Sequence, residues 1–200
     1  MKSLARTIVL IAALSFSQLL VAAAPLRDIE VEVYATFLNQ FAKDNPLDKT
    51  VIIKPTTALL YDGFSRDGDA ASEIKILMPD ASSAVIADLV RVGSESIPIE
   101  IYQTLVRPEI HFAIADGHKL HEMFSAKSGL DGAWKSFYRT YPKAAGLLQF
   151  SRVGIDPETN QALVYIRHTC EGLCGGGFLV LLELKWGTWK VISNKFIWVS

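Results

Sequence analysis

Residues 161–199 read QALVYIRHTCEGLCGGGFLVLLELKWGTWKVISNKFIWV, and this stretch decides the fold. Apolar residues alternate along it with period two, the spacing of side chains on a pleated strand. Ala162–His168, Phe178–Trp186 and Trp189–Val199 are strand candidates, and Leu147–Val153 just upstream is another. Their connections are short: Asp156-Pro157 with Thr159-Asn160, then a glycine run, then Gly187-Thr188. The last suits a two-residue hairpin with Gly first. Consecutive strands joined this tightly form an antiparallel meander. Phe178, Val180, Leu182, Leu184 and Trp186 share one face of the third strand, with Glu183 and Lys185 on the other. One face is therefore expected on the core and one in water.

The glycine run carries both cysteines of the chain, in HTCEGLCGGG at 168–177. Three residues separate Cys170 from Cys174, and flanking strands with several glycines can bring their Cα atoms within bonding range. A disulfide would pin a turn that otherwise costs much backbone entropy. The same residues admit a redox pair, although the spacing is C-x3-C and no thioredoxin-like βαβ pattern surrounds it. They also admit a zinc site with His168, which lacks a fourth ligand at recognisable spacing.

Upstream the period changes. Val33, Phe37 and Phe41 recur every four residues within 28–43, with Tyr34 and Leu38 beside them, which predicts an amphipathic helix. Asp28, Glu30 and Glu32 suit the positive end of its dipole, and Asn45-Pro46 stops it. TVIIK at 50–54 reads as a strand. YDGFSRDGDAAS at 61–72 has loop composition, and its acids Asp62, Asp67 and Asp69 do not follow calcium-loop spacing. A helix is expected over 81–92, capped by Asp80 or Ser82. Ile99–Val106 and Ile110–Ile114 are strand-like, punctuated by Pro98 and Pro108. Asp116 could cap a helix over 117–125 and Asp131 another over 132–141. The latter sets Trp134, Phe137, Tyr138 and Tyr141 on one face, enough aromatic area to anchor it to a sheet.

The first segment, MKSLARTIVLIAALSFSQLLVAA at 1–23, has basic residues Lys2 and Arg6, an apolar run from Ile8 to Leu14, and small closing residues. That is the order of parts in a secretory signal peptide, with cleavage expected after Ala23. Ser15, Ser17 and Gln18 interrupt the run too early for a membrane anchor. Secretion or delivery to the periplasm follows, and an oxidising compartment favours pairing of an even number of cysteines. Removing 1–23 leaves a single domain over 24–200. The whole chain carries 20 Lys+Arg against 21 Asp+Glu, and the leader takes two bases and no acid. A slightly acidic chain has no general attraction for nucleic acid. No later stretch is long and apolar enough for a membrane span.

Motifs for chemistry are sparse. There is no G-x-S-x-G elbow, and Gly175-Gly176-Gly177 lacks the Lys-Ser/Thr of a P-loop. Ser151-Arg152 is a polar interruption in its strand with no triad order behind it. His118 and His121 are three apart on one expected helix, a spacing open to a metal ion, but the pattern is not H-E-x-x-H. Trp186, Trp189 and Trp198 near the last hairpin leave room for a carbohydrate-stacking surface. No cofactor is implied.

Several segments resemble a family of uncharacterised small secreted bacterial proteins. They are EVYATFLNQF at 32–41, GAWKSFYRTYPKAAGLLQFSRVGID at 132–156, QALVYIRHTCEGLCGGGFLVLLELKWGTWKV at 161–191 and the closing WVS. The resemblance implies export and a shared C-terminal sheet, and it brings no activity and no catalytic residues. The ending L-x-W-G-x-W-K-V is also similar to the closing hairpin of cystatin-like and NTF2-like domains. That likeness implies helices packed in a curved sheet with a pocket between them.

The expectation is an α+β domain, with N-terminal helices packed on a C-terminal antiparallel β-meander stapled by Cys170–Cys174. Its expected role is exported and non-catalytic: binding a small molecule or an envelope protein. Tyr34, Trp134, Tyr138, His168 and Trp198 are the candidate pocket. The competing expectation is a secreted hydrolase with a dispersed site near His168 or near His118 and His121.

Overall fold

The period-two run from 144 onward folds as the sequence predicts. In the computed structural model, which describes residues 26–44, 49–64, 68–125 and 129–199, four long strands follow one another. They are β3 (Ala144–Asp156), β4 (Gln161–Thr169), β5 (Gly176–Lys185) and β6 (Thr188–Val199), each antiparallel to the next. The helices α1 (Asp28–Asp44), α2 (Ala70–Leu77), α3 (Ser83–Val92), α4 (Gly117–Ser125) and α5 (Gly129–Thr140) all precede them, so the chain is α+β. The leader expected at 1–23 and Asp67 of the acidic loop lie outside the described residues.

The sheet is wider than the meander. β1 (Thr50–Ile53) pairs parallel with β3, and β2 (Phe112–Ile114) pairs parallel with β1, giving the order β2-β1-β3-β4-β5-β6. Local alternation could not reveal this, because the partners of β1 lie about sixty and ninety residues downstream.

The expectation of one face on the core and one in water is overturned, because packed elements cover both faces. On one face Phe178, Val180 and Leu182 pack with Val33, Tyr34, Phe37 and Leu38 of α1 and with Ile99, Ile101, Val106 and Ile110. On the other, Leu179 and Leu181 pack with Leu163, Tyr165 and the buried side of α2 and α3. Further along that second face, Ile52 and Leu147 receive Trp134 and Phe137 of α5 and Leu120 of α4. The unbroken apolar run Phe178–Leu182 is the signature of a strand covered on both sides.

Four smaller expectations are corrected. Helix α2 begins inside the expected loop, with Asp69 accepting from Ala71 N–H as its cap. Only Phe112–Ile114 of the strand-like middle joins the sheet. Ile97, Ile99 and Ile101 keep alternating burial, with a single antiparallel bridge between Pro98 and Thr56 in place of a ladder. Asp131 stands in the first turn of α5 rather than capping it. The last hairpin turns one residue earlier, on Trp186 (φ 50°) and Gly187 (φ 73°), with Lys185 opposite Thr188. Two positive φ angles make this the primed turn whose twist suits a hairpin. Other caps stand as expected: Ser82 accepts from Val85 N–H, and Asp116 from His118 and Lys119 N–H.

β3 carries a bulge. Phe150 faces Ile166 and Val153 faces Val164, so Ser151 and Arg152 together oppose Tyr165. Ser151 Oγ fills the gap by accepting from Tyr165 N–H at 3.0 Å, and Tyr34 Oη donates to Ser151 O at 2.8 Å. Arg152 is 2 % exposed and Glu30 of α1 is 0 % exposed. The guanidinium grips both carboxylate oxygens, Nε and Nη2 each at 2.9 Å. Burial alone would raise the Glu30 pKa. The Arg152 fork, with the Val153 and Arg27 N–H groups, outweighs it and holds the carboxyl below its ordinary range.

Beyond the reach of β1, the second half of β3 would be a bare edge. Side chains from opposite faces close it. Glu30 accepts from Val153 N–H, Arg27 donates to Val153 O, and Asp88 of α3 accepts from Ile155 N–H. Arg27 also bonds Asp88 at 3.2 Å, tying the two helices together around the edge. Gly154 permits the close approach of α3, since a Cβ there would lie 2.6 Å from that of Leu89.

Candidate ligand-binding cleft

The second face is covered by two helix pairs, and the α4–α5 pair leaves a cleft against the sheet. It encloses about 800 Å³. Its floor follows from strand register. Thr169 lies opposite Leu147, and Arg167 opposite Gln149, on adjacent strands. Lys54, two residues past Ile52, donates its N–H to Leu148 O at 2.8 Å and so extends the line of β1. Period two puts Ile52 and Lys54 on one face. The floor therefore has Leu147 and Thr169 in one row next to the charged pair Lys54 and Arg167, with Ile52 and Gln149 at the neighbouring register positions of the same face.

The walls come from α4 and α5, with Leu120, His121, Phe124 and Ser125 from the first and Leu130 and Trp134 from the second. Phe124 meets Trp134 edge-on at 5.1 Å, and Trp134 meets Phe137 at 5.3 Å, which fixes the aromatic wall. The rim is the turn bearing Cys170 and Gly172. The cysteines are paired, with Cα atoms 5.7 Å apart, so both thiols are withdrawn from the zinc reading.

The charged end is incompletely neutralised. Arg167 Nη1 bonds Asp62 at 2.9 Å, and its guanidinium lies 5.9 Å from the Trp198 ring centre. Its Nε is buried and has no hydrogen-bond partner among the described residues. The Lys54 ammonium has neither ion pair nor hydrogen bond among the described residues. Burial lowers its pKa, the Arg167 charge lowers it further, and Asp62 opposes both.

The five residues expected to share a pocket are distributed over three places. Trp134 lines the cleft, and Tyr138 packs behind it at 5.9 Å in the aromatic wall. Tyr34 is in the core under α1, bonded to the bulge. His168 is on the same side as Tyr34, its ring 5.9 Å from that of Phe41. Its Nε2 lies 2.8 Å from Ala145 O, so that nitrogen carries the proton; burial lowers the ring's pKa and the carbonyl partly restores it. Trp198 covers Gly177 beside the cleft, its indole N–H donating to Tyr165 Oη at 2.9 Å. The three hairpin tryptophans form no common stacking surface: Trp186 is 92 % exposed at the turn, Trp189 is buried, and Trp198 is half-buried.

His118 and His121 are both exposed on α4. His121 alone lines the cleft, with Ser125 Oγ 3.4 Å from its Nδ1. No carboxylate orients that imidazole among the described contacts, so the pair lacks the third member of a nucleophilic triad. No group of three or more His, Cys, Asp or Glu suited to a metal ion occurs among the described residues. No helix among them is long and apolar enough to cross a membrane.

No family model, curated protein or solved structure matches the chain.

Sequence reasoning missed Lys54 and Arg167. One ends a short strand and the other interrupts an apolar one, a weak signal for a charge held at a buried sheet face. Their meeting depends on strands 113 positions apart in sequence, which no local pattern encodes.

Proposed function

We propose that this is an exported, non-catalytic binding protein that holds a small ligand between the α4–α5 pair and the sheet. The observation that carries the reading is the cleft itself. It has the size of a small-molecule site and joins an aromatic wall to a few polar groups. Its floor is the middle of a six-stranded sheet, a rigid support. The leader pattern at 1–23 supports export, and so does the Cys170–Cys174 bridge, which suits an oxidising compartment.

Native mass spectrometry of the secreted protein is the direct test. The expected result is a mature chain beginning at Ala24, with a small molecule released on denaturation. Trp134→Ala, which removes one wall, is expected to lower its occupancy. A chain that leaves the cell empty, and whose tryptophan fluorescence ignores every small molecule offered, would overturn the reading.

A further inference from the structure

The cleft has two chemically different ends. At one, Leu120, Phe124, Leu130 and Trp134 make a mainly apolar wall, with His121 and Ser125 of α4 beside it. Leu130 is 71 % exposed there, an apolar side chain left at the mouth with nothing packed over it. At the other end stand Lys54 and Arg167, on backbones two strand spacings apart, about 10 Å. Gln149 lies between them on β3, its amide already engaged with Thr56 O at 3.2 Å. Both cations have long side chains that line the same space.

Among the described residues the charge at this end is uneven: two cations and one acid, Asp62, whose one ion pair there is with Arg167. A fold selecting for stability alone would place a neutral side chain at 54, since a half-buried ammonium beside a guanidinium is repelled and partly desolvated. An anion lying between the two side chains would answer the charge of each. A free inorganic ion would leave the carbon wall and most of the 800 Å³ unused.

We infer that the cleft takes an amphiphile with an anionic head, carboxylate or phosphate, set between Lys54 and Arg167 and its apolar body against Phe124 and Trp134. The inference rests on the binding reading above and adds the ligand's class to it.

The test uses the whole secreted chain, freed of bound material by refolding, and three probes that share a tail: decanoate, decyl phosphate and decanol. Binding is followed by calorimetry and tryptophan fluorescence. At least one anion is expected to bind more tightly than decanol by about tenfold, the scale of a charge-assisted contact. Whichever anion binds more tightly identifies the head. Lys54→Met is expected to bring the anions down to the level of decanol while decanol itself is unchanged, and Lys54→Arg to retain the preference. Equal affinity for all three probes would overturn the anionic head and leave the binding reading intact. So would a Lys54→Met variant that loses decanol as well, because the role of Lys54 would then be structural. Failure of all three to bind would overturn both.

Discussion

Arg152 and Arg167 stand on adjacent strands of one sheet and carry the same charge, yet the fold treats them in opposite ways. Arg152 is sealed at 2 % exposure, and Glu30 meets its guanidinium with two oxygens at 2.9 Å. The same carboxylate collects the Val153 N–H and the N–H of Arg27 at the start of α1. Arg167 keeps about a quarter of its side chain in contact with solvent and, among the described residues, has one acid for a partner and a buried N–H unmet. A buried charge gripped by a two-pronged counter-ion joins the parts of a fold; a charge less fully matched beside a cavity is available to something else.

The sharpest way to break the contrast is Glu30→Ala. It strands Arg152 in the core and frees a buried backbone N–H. A loss of about 3–5 kcal/mol is expected, read as a fall in the urea midpoint. Adding Arg152→Met should recover much of it, leaving about 1–3 kcal/mol for the unpaired Val153 N–H. Acid provides the same test without mutation. Glu30 has a folded pKa below its ordinary 4.5, so the unfolded chain takes up its proton first as pH falls. The stability that Glu30 contributes is present above that pH and is lost below it. Wild type should therefore lose more stability between pH 6 and pH 3 than the double variant does.

A smaller effect is expected at the rim. Opening the Cys170–Cys174 bridge by Cys170→Ser with Cys174→Ser releases a loop with a sequence separation of 4. The chain-entropy account gives about 2 kcal/mol for so short a loop, measurable by denaturation with and without reductant. The smallest effect belongs to Lys54→Met. Stability should change by no more than about 0.5 kcal/mol, because no partner is lost. A large destabilisation there, comparable with Glu30→Ala, would erase the distinction between the two basic centres.

How far the sequence discloses this arrangement depends on range. The strands β3 to β6 and the stripe on α1 are legible because period two and period 3.6 are local properties. The anchoring face of α5 is legible for the same reason: Trp134 and Phe137 are buried, with Tyr138 and Tyr141 half-buried beside them. Glu30 is different. From its neighbours it reads as a carboxylate placed to suit a helix dipole, and only the fold reveals Arg152 as its partner. Ser151-Arg152 marks an interruption in an apolar strand, but alternation carries no sign for an inserted residue, so the bulge is invisible until β4 is laid beside it. The charged pair of the cleft hides for a third reason: each member comes from a different strand.

The pairing of Glu30 with Arg152 also constrains when the molecule can take shape. The partners are separated by 122 residues, so α1, made among the first segments, cannot dock until β3 and its bulge exist. Contacts of such sequence separation form late and slow the search. For a chain that emerges or is threaded amino end first, the opening helix must wait for almost everything behind it. Until then Glu30 is a carboxylate with no cation to meet it in the core, and burying it alone is costly, which favours leaving that segment in water.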